Sequence, residues 1–420
     1  MKHSAIKSKR RIIVLCGRST FESPIYRSWT DKITDHPLDY VQDYGPLWNP
    51  PDDTGLIVTH RHYHAPETTL IPRLVNSGIP VLILADGILE FRNTWQNPNI
   101  TPTAMFQPVL GHKIAVIGKS QARVINSWGN HGKCEVVGLP RMDNLPLQKA
   151  HAPDQDKLRI LVTTARTPGF TEEQRTTIIK SLTDLRNWFD KTSTIAGRAF
   201  EVTWRITGAL AQTLEVPDTV TDITGRQMAE ALSCSDILIT TPSTAMLEGM
   251  RFGLPTALLD YTNSPAYVTA AWSITASPHL DTVIPELTTP PAEKLALQDM
   301  LLHDALECSP PATDRLIKLI TSMLNIAEDC RNKNQPIVFP KNILTPSDCE
   351  PDLPAASPQG NLTPKQISLE RDNLARLAQQ QQQQILQLEN KLQELSGASF
   401  RTLCKEAIRQ KYQKLTTKSS

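Results

Sequence analysis

The most chemically suggestive run in this 420-residue chain is Thr241-Pro242-Ser243-Thr244-Ala245-Met246-Leu247-Glu248. The apolar stretch before it, Asp236 to Thr240, reads as a buried strand, and Ser243 to Arg251 reads as a helix. The first N–H groups of such a helix lack carbonyl partners one turn back. With the hydroxyls of Ser243 and Thr244 they could form an anion pocket suited to a diphosphate. Glu248 lies four residues beyond Thr244, on the same helical face. A carboxylate cannot serve a phosphate, but it can accept two hydrogen bonds from the cis-diol of a ribose. Alone, these residues would be an ordinary N-cap serine and an exposed glutamate. The strand before them and Gly253-Leu254-Pro255 after them favour the donor-site reading.

Other residues stand where strands end. Arg166 follows the run Leu158 to Val162, and a guanidinium there could neutralise a departing diphosphate. Lys119 and Ser120 follow Ile114 to Ile117, and Arg141 follows Val136-Val137-Gly138-Leu139-Pro140; all three are expected to line a cleft. Thr59-His60-Arg61-His62-Tyr63-His64 offers three histidines at alternate positions. That spacing in a loop defines no metal geometry, so His60 is a candidate base or substrate contact rather than a ligand. Asp86 and Glu90, after Pro80 to Ala85, could deprotonate an acceptor hydroxyl. Asp86-Gly87 serves equally well as a turn former.

These residues need elements that bring strand ends together. Apolar runs that do not alternate with polar residues imply strands covered on both faces, as in a parallel sheet. Five such runs fall before residue 140, with helices expected over Glu67 to Ser77 and Ser120 to Trp128. After a polar stretch from Ala150 to Lys157 the alternation restarts. Strands are expected near 158–162, 200–206, 236–240 and 255–259. Helices are expected over 172–190 and 225–233, and further helices near 292–307 and 314–325 should finish the second domain. The fold expected is α/β, two Rossmann-like domains facing across a cleft: an acceptor domain over 1–150 and a nucleotide-sugar domain over 151–335. Ligands of open parallel sheets lie beyond the carboxyl ends of the strands.

A proline-rich linker is expected over 336–364. Ile367, Arg371, Leu374, Ala378, Gln381, Ile385, Leu388, Leu392 and Leu395 then follow the 4-3 spacing of a coiled coil, placed at 365–397, with homo-oligomerisation as its consequence. The tail, 398–420, is basic and could touch anionic lipid.

Composition bounds the function. Lys+Arg is 44 and Asp+Glu 43, a net charge of +1, which argues against a surface built for nucleic acid. The seven cysteines form no close pairs, as expected of reduced thiols in a cytoplasmic protein. No apolar run approaches the ~18 residues of a membrane span. Neither a G-x-G-x-x-G nor a G-x-x-x-x-G-K-[ST] loop is present.

The segment Cys234 to Pro255, with Val116-Ile117-Gly118-Lys119-Ser120 and Val136-Val137-Gly138-Leu139-Pro140-Arg141-Met142-Asp143, resembles nucleotide-sugar glycosyltransferases of the two-Rossmann-domain (GT-B) type. The nearest likeness is to the branch that includes CDP-glycerol glycerophosphotransferases, UDP-N-acetylglucosamine 2-epimerase and bacterial surface-polysaccharide enzymes. The resemblance covers roughly residues 11 to 330 and leaves the linker and coiled coil unexplained. It implies that Ser243 and Thr244 hold donor phosphates and Glu248 the ribose. It also implies a transferase in polysaccharide biosynthesis, with a nucleotide-sugar donor, a saccharide or polyol acceptor and no cofactor. Metal independence is expected because no D-x-D follows a strand and an arginine with a helix N-terminus can supply the positive charge. Peripheral contact with the inner membrane face would follow. Gly249 replaces the alanine usual in the pattern. Asp86 stands where the related enzymes often carry a histidine before glycine, so no catalytic role transfers to it directly. An epimerase of the same fold and a non-catalytic coiled-coil scaffold that binds a nucleotide sugar are the competing readings.

Overall fold

Strands without alternation must find cover on both faces, and the computed structural model shows how this chain provides it. It describes residues 10–344, apart from 17–23, 64, 101–104, 144, 146–156, 217–225 and 310. Residues 359–420 form a separate unit, of which only Gln383 and Gln387 are described, both helical. The expected coiled coil and basic tail therefore lie outside the described residues.

The first domain contains β1 (Arg11–Leu15), α1 (Pro24–Thr30), β2 (Leu38–Val41), β3 (Thr54–Thr59), α2 (Glu67–Asn76) and β4 (Val81–Leu84). It continues with α3 (Phe91–Trp95), β5 (Lys113–Val116), α4 (Lys119–Ser127) and β6 (Cys134–Val136). The second opens with β7 (Lys157–Thr163), α5 (Glu172–Lys191), β8 (Ala199–Arg205), α6 (Gly208–Leu214) and α7 (Arg226–Ser233). There follow β9 (Ile237–Thr240), α8 (Ala245–Arg251), β10 (Thr256–Leu259), β11 (Trp272–Ile274), α9 (Leu280–Thr288), α10 (Ala292–Ala305) and α11 (Ala312–Asn332).

Both sheets are parallel throughout, in the orders β2-β1-β3-β4-β5-β6 and β11-β10-β9-β7-β8. All six residues of β3 are buried, which explains their uninterrupted apolarity. Each sheet reverses its winding once, between β1 and β3 and between β7 and β9. At such a switch point the connections leave in opposite directions and open a crevice at the carboxyl ends of the strands.

The last helix departs from expectation. Instead of finishing the second domain, α11 returns to the first sheet, where Leu316, Leu319, Ile320, Met323 and Leu324 pack with Ile12, Val14, Leu56 and Val58. The Val136–Asp143 motif makes this return possible. Gly138 has φ +96°, and a Cβ there would fall 2.4 Å from the Glu307 carbonyl and 2.8 Å from Ala312 Cβ. Asp143 caps α11, accepting from Ala312 N at 3.0 Å and Thr313 N at 2.7 Å.

The start of the expected linker is not free either. Phe339, Ile343 and Leu344 pack on the same core. The buried Lys113 ammonium donates to the carbonyls of Pro340 (2.7 Å) and Lys341 (2.8 Å), so residues 336–344 form a strap bound to the first domain. Residues 345–364 lie outside the described residues.

Candidate functional site

At the second switch point, threonines fix the turn that follows β9. Thr163 Oγ1 donates to Thr240 Oγ1 (2.8 Å), Thr240 Oγ1 lies 3.1 Å from Ser243 Oγ, and Ala165 N–H donates to Thr241 Oγ1 (3.1 Å). This holds Ser243 and Thr244 at the mouth of the crevice. The helix behind them, α8, is only seven residues long, so hydroxyls and cationic side chains must carry more of any anion binding than its dipole. Gly249 is explained by packing: a Cβ would sit 2.3 Å from Leu238 Cδ2, so the methyl of β9 fills the space an alanine would take.

Thr244 and Glu248 both turn toward one loop of the first domain. Thr244 Oγ1 accepts the N–H of Ile88 at 3.2 Å, leaving its own proton free to donate. A Cβ on Gly87 would fall 2.3 Å from that oxygen, so glycine at this position permits the approach. Glu248 is 14 % exposed and lies 3.6 Å from Arg141, which in turn donates to the Asp86 carbonyl at 2.6 Å. Burial pushes the Glu248 carboxyl above its ordinary pKa, while the charges of Arg141 and then Arg205 hold it down. A small cleft adjoins, lined in part by Asp86, Gly138, Pro140 and Arg141.

At the first switch point stands His60, after β3. Its Nδ1 lies 2.5 Å from the hydroxyl of Tyr26, a fully buried residue of α1. Burial lowers the His60 pKa; Asp86 is near enough to oppose that shift, and Glu67 opposes it less. The ring is therefore neutral at pH 7. His62 instead stacks on Phe106, with centroids 4.0 Å apart and 14° between planes, which is a packing role. His64 lies outside the described residues. Among the described residues no group of three His, Cys, Asp or Glu side chains is arranged to hold a metal ion.

Glu90 sits in a charge cluster on the seam between the domains. Arg92 Nε donates to Glu90 Oε1 at 2.6 Å, and Arg92 Nη1 lies 3.7 Å from Asp260, just beyond β10. Burial raises the Glu90 pKa to about 7; Arg92 opposes that shift, whereas Asp260 adds to it. The folded protein thus holds a proton here that the unfolded chain releases from about pH 4.5 upward. Glu90 should therefore cost stability as pH rises toward 7, by about 3 kcal/mol in full. The half-buried His112, pushed down to about 4, acts oppositely and costs stability as pH falls below about 6.5. Urea denaturation of wild type and Glu90→Gln at pH 5 and pH 8 isolates the first effect. Wild type should lose about 2 kcal/mol or somewhat more relative to the variant on going from pH 5 to pH 8, and parallel pH dependences would contradict it.

The remaining expected residues are less central. Arg166 is exposed in the loop after β7. Lys119 is half-buried; Ser120 is buried, its hydroxyl without a hydrogen-bond partner. Two residues before it the seam is filled: a Cβ on Gly118 would fall 2.2 Å from the Ala305 carbonyl oxygen. The structure thus brings Asp86, Arg141, Thr244 and Glu248 into one cluster, with His60 acting on Asp86 from the first switch point and Glu90 along the seam. Sequence reasoning missed Tyr26, Arg92 and Asp260, none of which lies in a motif.

Two parallel Rossmann-like sheets with a last helix that crosses back define the GT-B fold, and a solved structure of similar fold agrees. A Listeria monocytogenes protein described as a UDP-N-acetylglucosamine 2-epimerase matches 79 % of this chain and 100 % of its own, at TM-score 0.51 and 11 % identity. The wall teichoic acid polymerase TagF, soaked with CDPG, covers 78 % of this chain and 90 % of its own at TM-score 0.49 and 13 % identity. The UDP-GlcNAc 2-epimerase of Neisseria meningitidis, bound to UDP-GlcNAc, covers 75 % and 99 % at TM-score 0.47 and 11 % identity. No protein-family model and no curated protein matches the sequence. No helix among the described residues is long and apolar enough to cross a membrane.

Proposed function

We propose that this chain transfers a sugar or related group from a nucleotide-activated donor to a hydroxyl acceptor. The observation that carries the reading is Glu248. This carboxylate is largely withdrawn from solvent and turned toward Arg141 of the facing domain, one helical turn behind two hydroxyls at a switch point. A structural ion pair would gain little from such a place, since desolvation offsets most of its attraction. A carboxyl at a crevice mouth, whose charged form Arg141 and Arg205 favour against the effect of burial, is suited when ionised to accept both hydroxyls of a ribose.

In this reading Ser243 and Thr244 meet the donor phosphates, and Arg166 approaches from the loop after β7. Arg141 and Arg205 supply fixed positive charge near the leaving diphosphate. Of the three candidate bases, His60 fits best. Its ring is neutral, and Asp86 stands ready to stabilise the imidazolium that proton abstraction creates. Glu90 is engaged by Arg92, and Asp86 is exposed to solvent rather than enclosed against an acceptor. Surface polysaccharide as the biological setting rests on the sequence resemblance alone.

The test is thermal-shift and calorimetric titration with UDP-, GDP-, CDP- and CMP-linked sugars. One nucleotide class should raise the melting temperature, because a ligand of the native state stabilises it by mass action. Glu248→Gln should weaken that ligand about ten- to a hundredfold, as expected for losing a charge-assisted acceptor. Unchanged affinity would remove Glu248 from the site. Conversion of a labelled nucleotide sugar to its epimer without acceptor would replace the transferase reading by an isomerase.

A further inference from the structure

The phenol of Tyr26 makes three polar contacts, and together they determine where the neutral His60 ring carries its proton. Tyr26 Oη lies 3.2 Å from the Leu15 carbonyl oxygen, 3.1 Å from the His60 backbone nitrogen and 2.5 Å from His60 Nδ1. A phenol has one proton to give and two lone pairs. The carbonyl can only accept, so it takes the phenolic proton. The backbone N–H can only donate, so it occupies one lone pair. The remaining lone pair needs a second donor, and Nδ1–H is the group that faces it.

In the opposite tautomer the phenol would give its proton to Nδ1. Two buried oxygens, the phenol and the Leu15 carbonyl, would then face each other with no hydrogen between them, and a buried acceptor left unpaired is costly. We infer that Tyr26 is a positioning residue that imposes the Nδ1-protonated tautomer on His60, leaving the Nε2 lone pair as the proton acceptor of the cleft. This is the tautomer that free histidine favours less, so the protein must impose it. The edge-on packing of the two rings, with centroids 5.5 Å apart, limits ring rotation as well.

The consequence for chemistry rests on the reading of His60 as the base. An acceptor O–H bond breaks as Nε2–H forms, and the freed oxygen pair attacks the donor. The bond to the nucleotide breaks, and its electron pair leaves with the phosphate. The imidazolium keeps Nδ1–H on Tyr26 and has Asp86 for its charge. With the proton on Nε2 instead, the ring could only donate to the acceptor hydroxyl and could not remove its proton.

The experiment uses the full chain labelled with 15N at histidine. Long-range 1H–15N correlation spectra at pH 7.5 report which ring nitrogen bears the proton, and His60→Gln identifies the signal. The expected result is a protonated Nδ1 and a bare Nε2 at His60 in wild type. Tyr26→Phe should shift the ring toward the Nε2-protonated form while the other histidine signals stay in place. Wild-type His60 protonated at Nε2 would overturn the inference without need of any variant, as would a tautomer unmoved in Tyr26→Phe. Once a donor is known, Tyr26→Phe should lower kcat at least tenfold with KM little changed. Full turnover in His60→Gln with the tautomer as expected would overturn the role of His60 as base and leave the assignment of its proton standing.

Discussion

Replacing Lys113 by methionine is expected to destabilise the protein by about 3–5 kcal/mol, the usual cost of removing one partner from a buried ion pair. Lys113 is 1 % exposed, and its ammonium donates to Glu135 Oε1 at 2.7 Å and to the Gly132 carbonyl at 2.8 Å, besides Pro340 and Lys341. Glu135 is equally hidden and accepts from Ile343 N (2.9 Å) and Leu344 N (3.1 Å). The pair therefore does more than satisfy itself, since it fastens the strap across the outer strands β5 and β6. Without the ammonium, a buried carboxylate loses its counter-charge and three carbonyls lose their donor. Urea denaturation measures the loss, and limited proteolysis should show new cleavage near residue 340. Lys113→Met combined with Glu135→Gln should recover at least half of the loss, because no charge is then left buried alone. A single variant as stable as wild type would show that the strap is held by its apolar residues.

The strap also shows why part of the fold was illegible in the sequence. Prolines at 336 and 340 read as linker because they cannot join a strand ladder. Yet an extended chain can be held through its carbonyls alone, and the lysine that holds it looked like nothing more than the start of an apolar strand. Strands buried on both faces, such as β3 and β4, were legible because nothing polar interrupts them. The half-exposed edge strand Leu38–Val41 and the three-residue Trp272–Ile274 carry too little pattern to be seen. Helix α11 was legible as a helix but not as part of the first domain. Its periodicity shows an apolar face without saying which sheet covers it, and that depends on the crossing at Glu307–Ala312. The site divides in the same way. Glu248, Thr244, Arg141 and Asp86 were each visible at strand ends, but their convergence is a property of the seam. Tyr26 and Asp260 act across the fold on residues far away in sequence, and spacing cannot reveal that.

Arg141→Met is expected to weaken nucleotide-donor binding about ten- to a hundredfold at pH 7 and to move the pH dependence of binding upward. At 3.6 Å the Arg141–Glu248 contact is too long for a forked hydrogen bond, so the guanidinium acts on Glu248 chiefly as a charge. Burial already pushes the Glu248 pKa upward, and Arg141 is the largest influence opposing it. Without that charge the carboxyl keeps its proton to higher pH. A carboxylic acid must donate through one oxygen and cannot accept both hydroxyls of a diol, whereas the carboxylate can. Binding should therefore strengthen as Glu248 ionises, and in Arg141→Met that rise should come at higher pH than in wild type. Arg141→Lys separates charge from shape. It should keep the wild-type pH profile even if it loses the bond to the Asp86 carbonyl. Calorimetric titration between pH 6 and 9 distinguishes these outcomes. A loss in Arg141→Met that is the same at every pH would mean that Arg141 only braces the seam between Asp86 and Glu248, and that the ionisation of Glu248 does not govern donor binding.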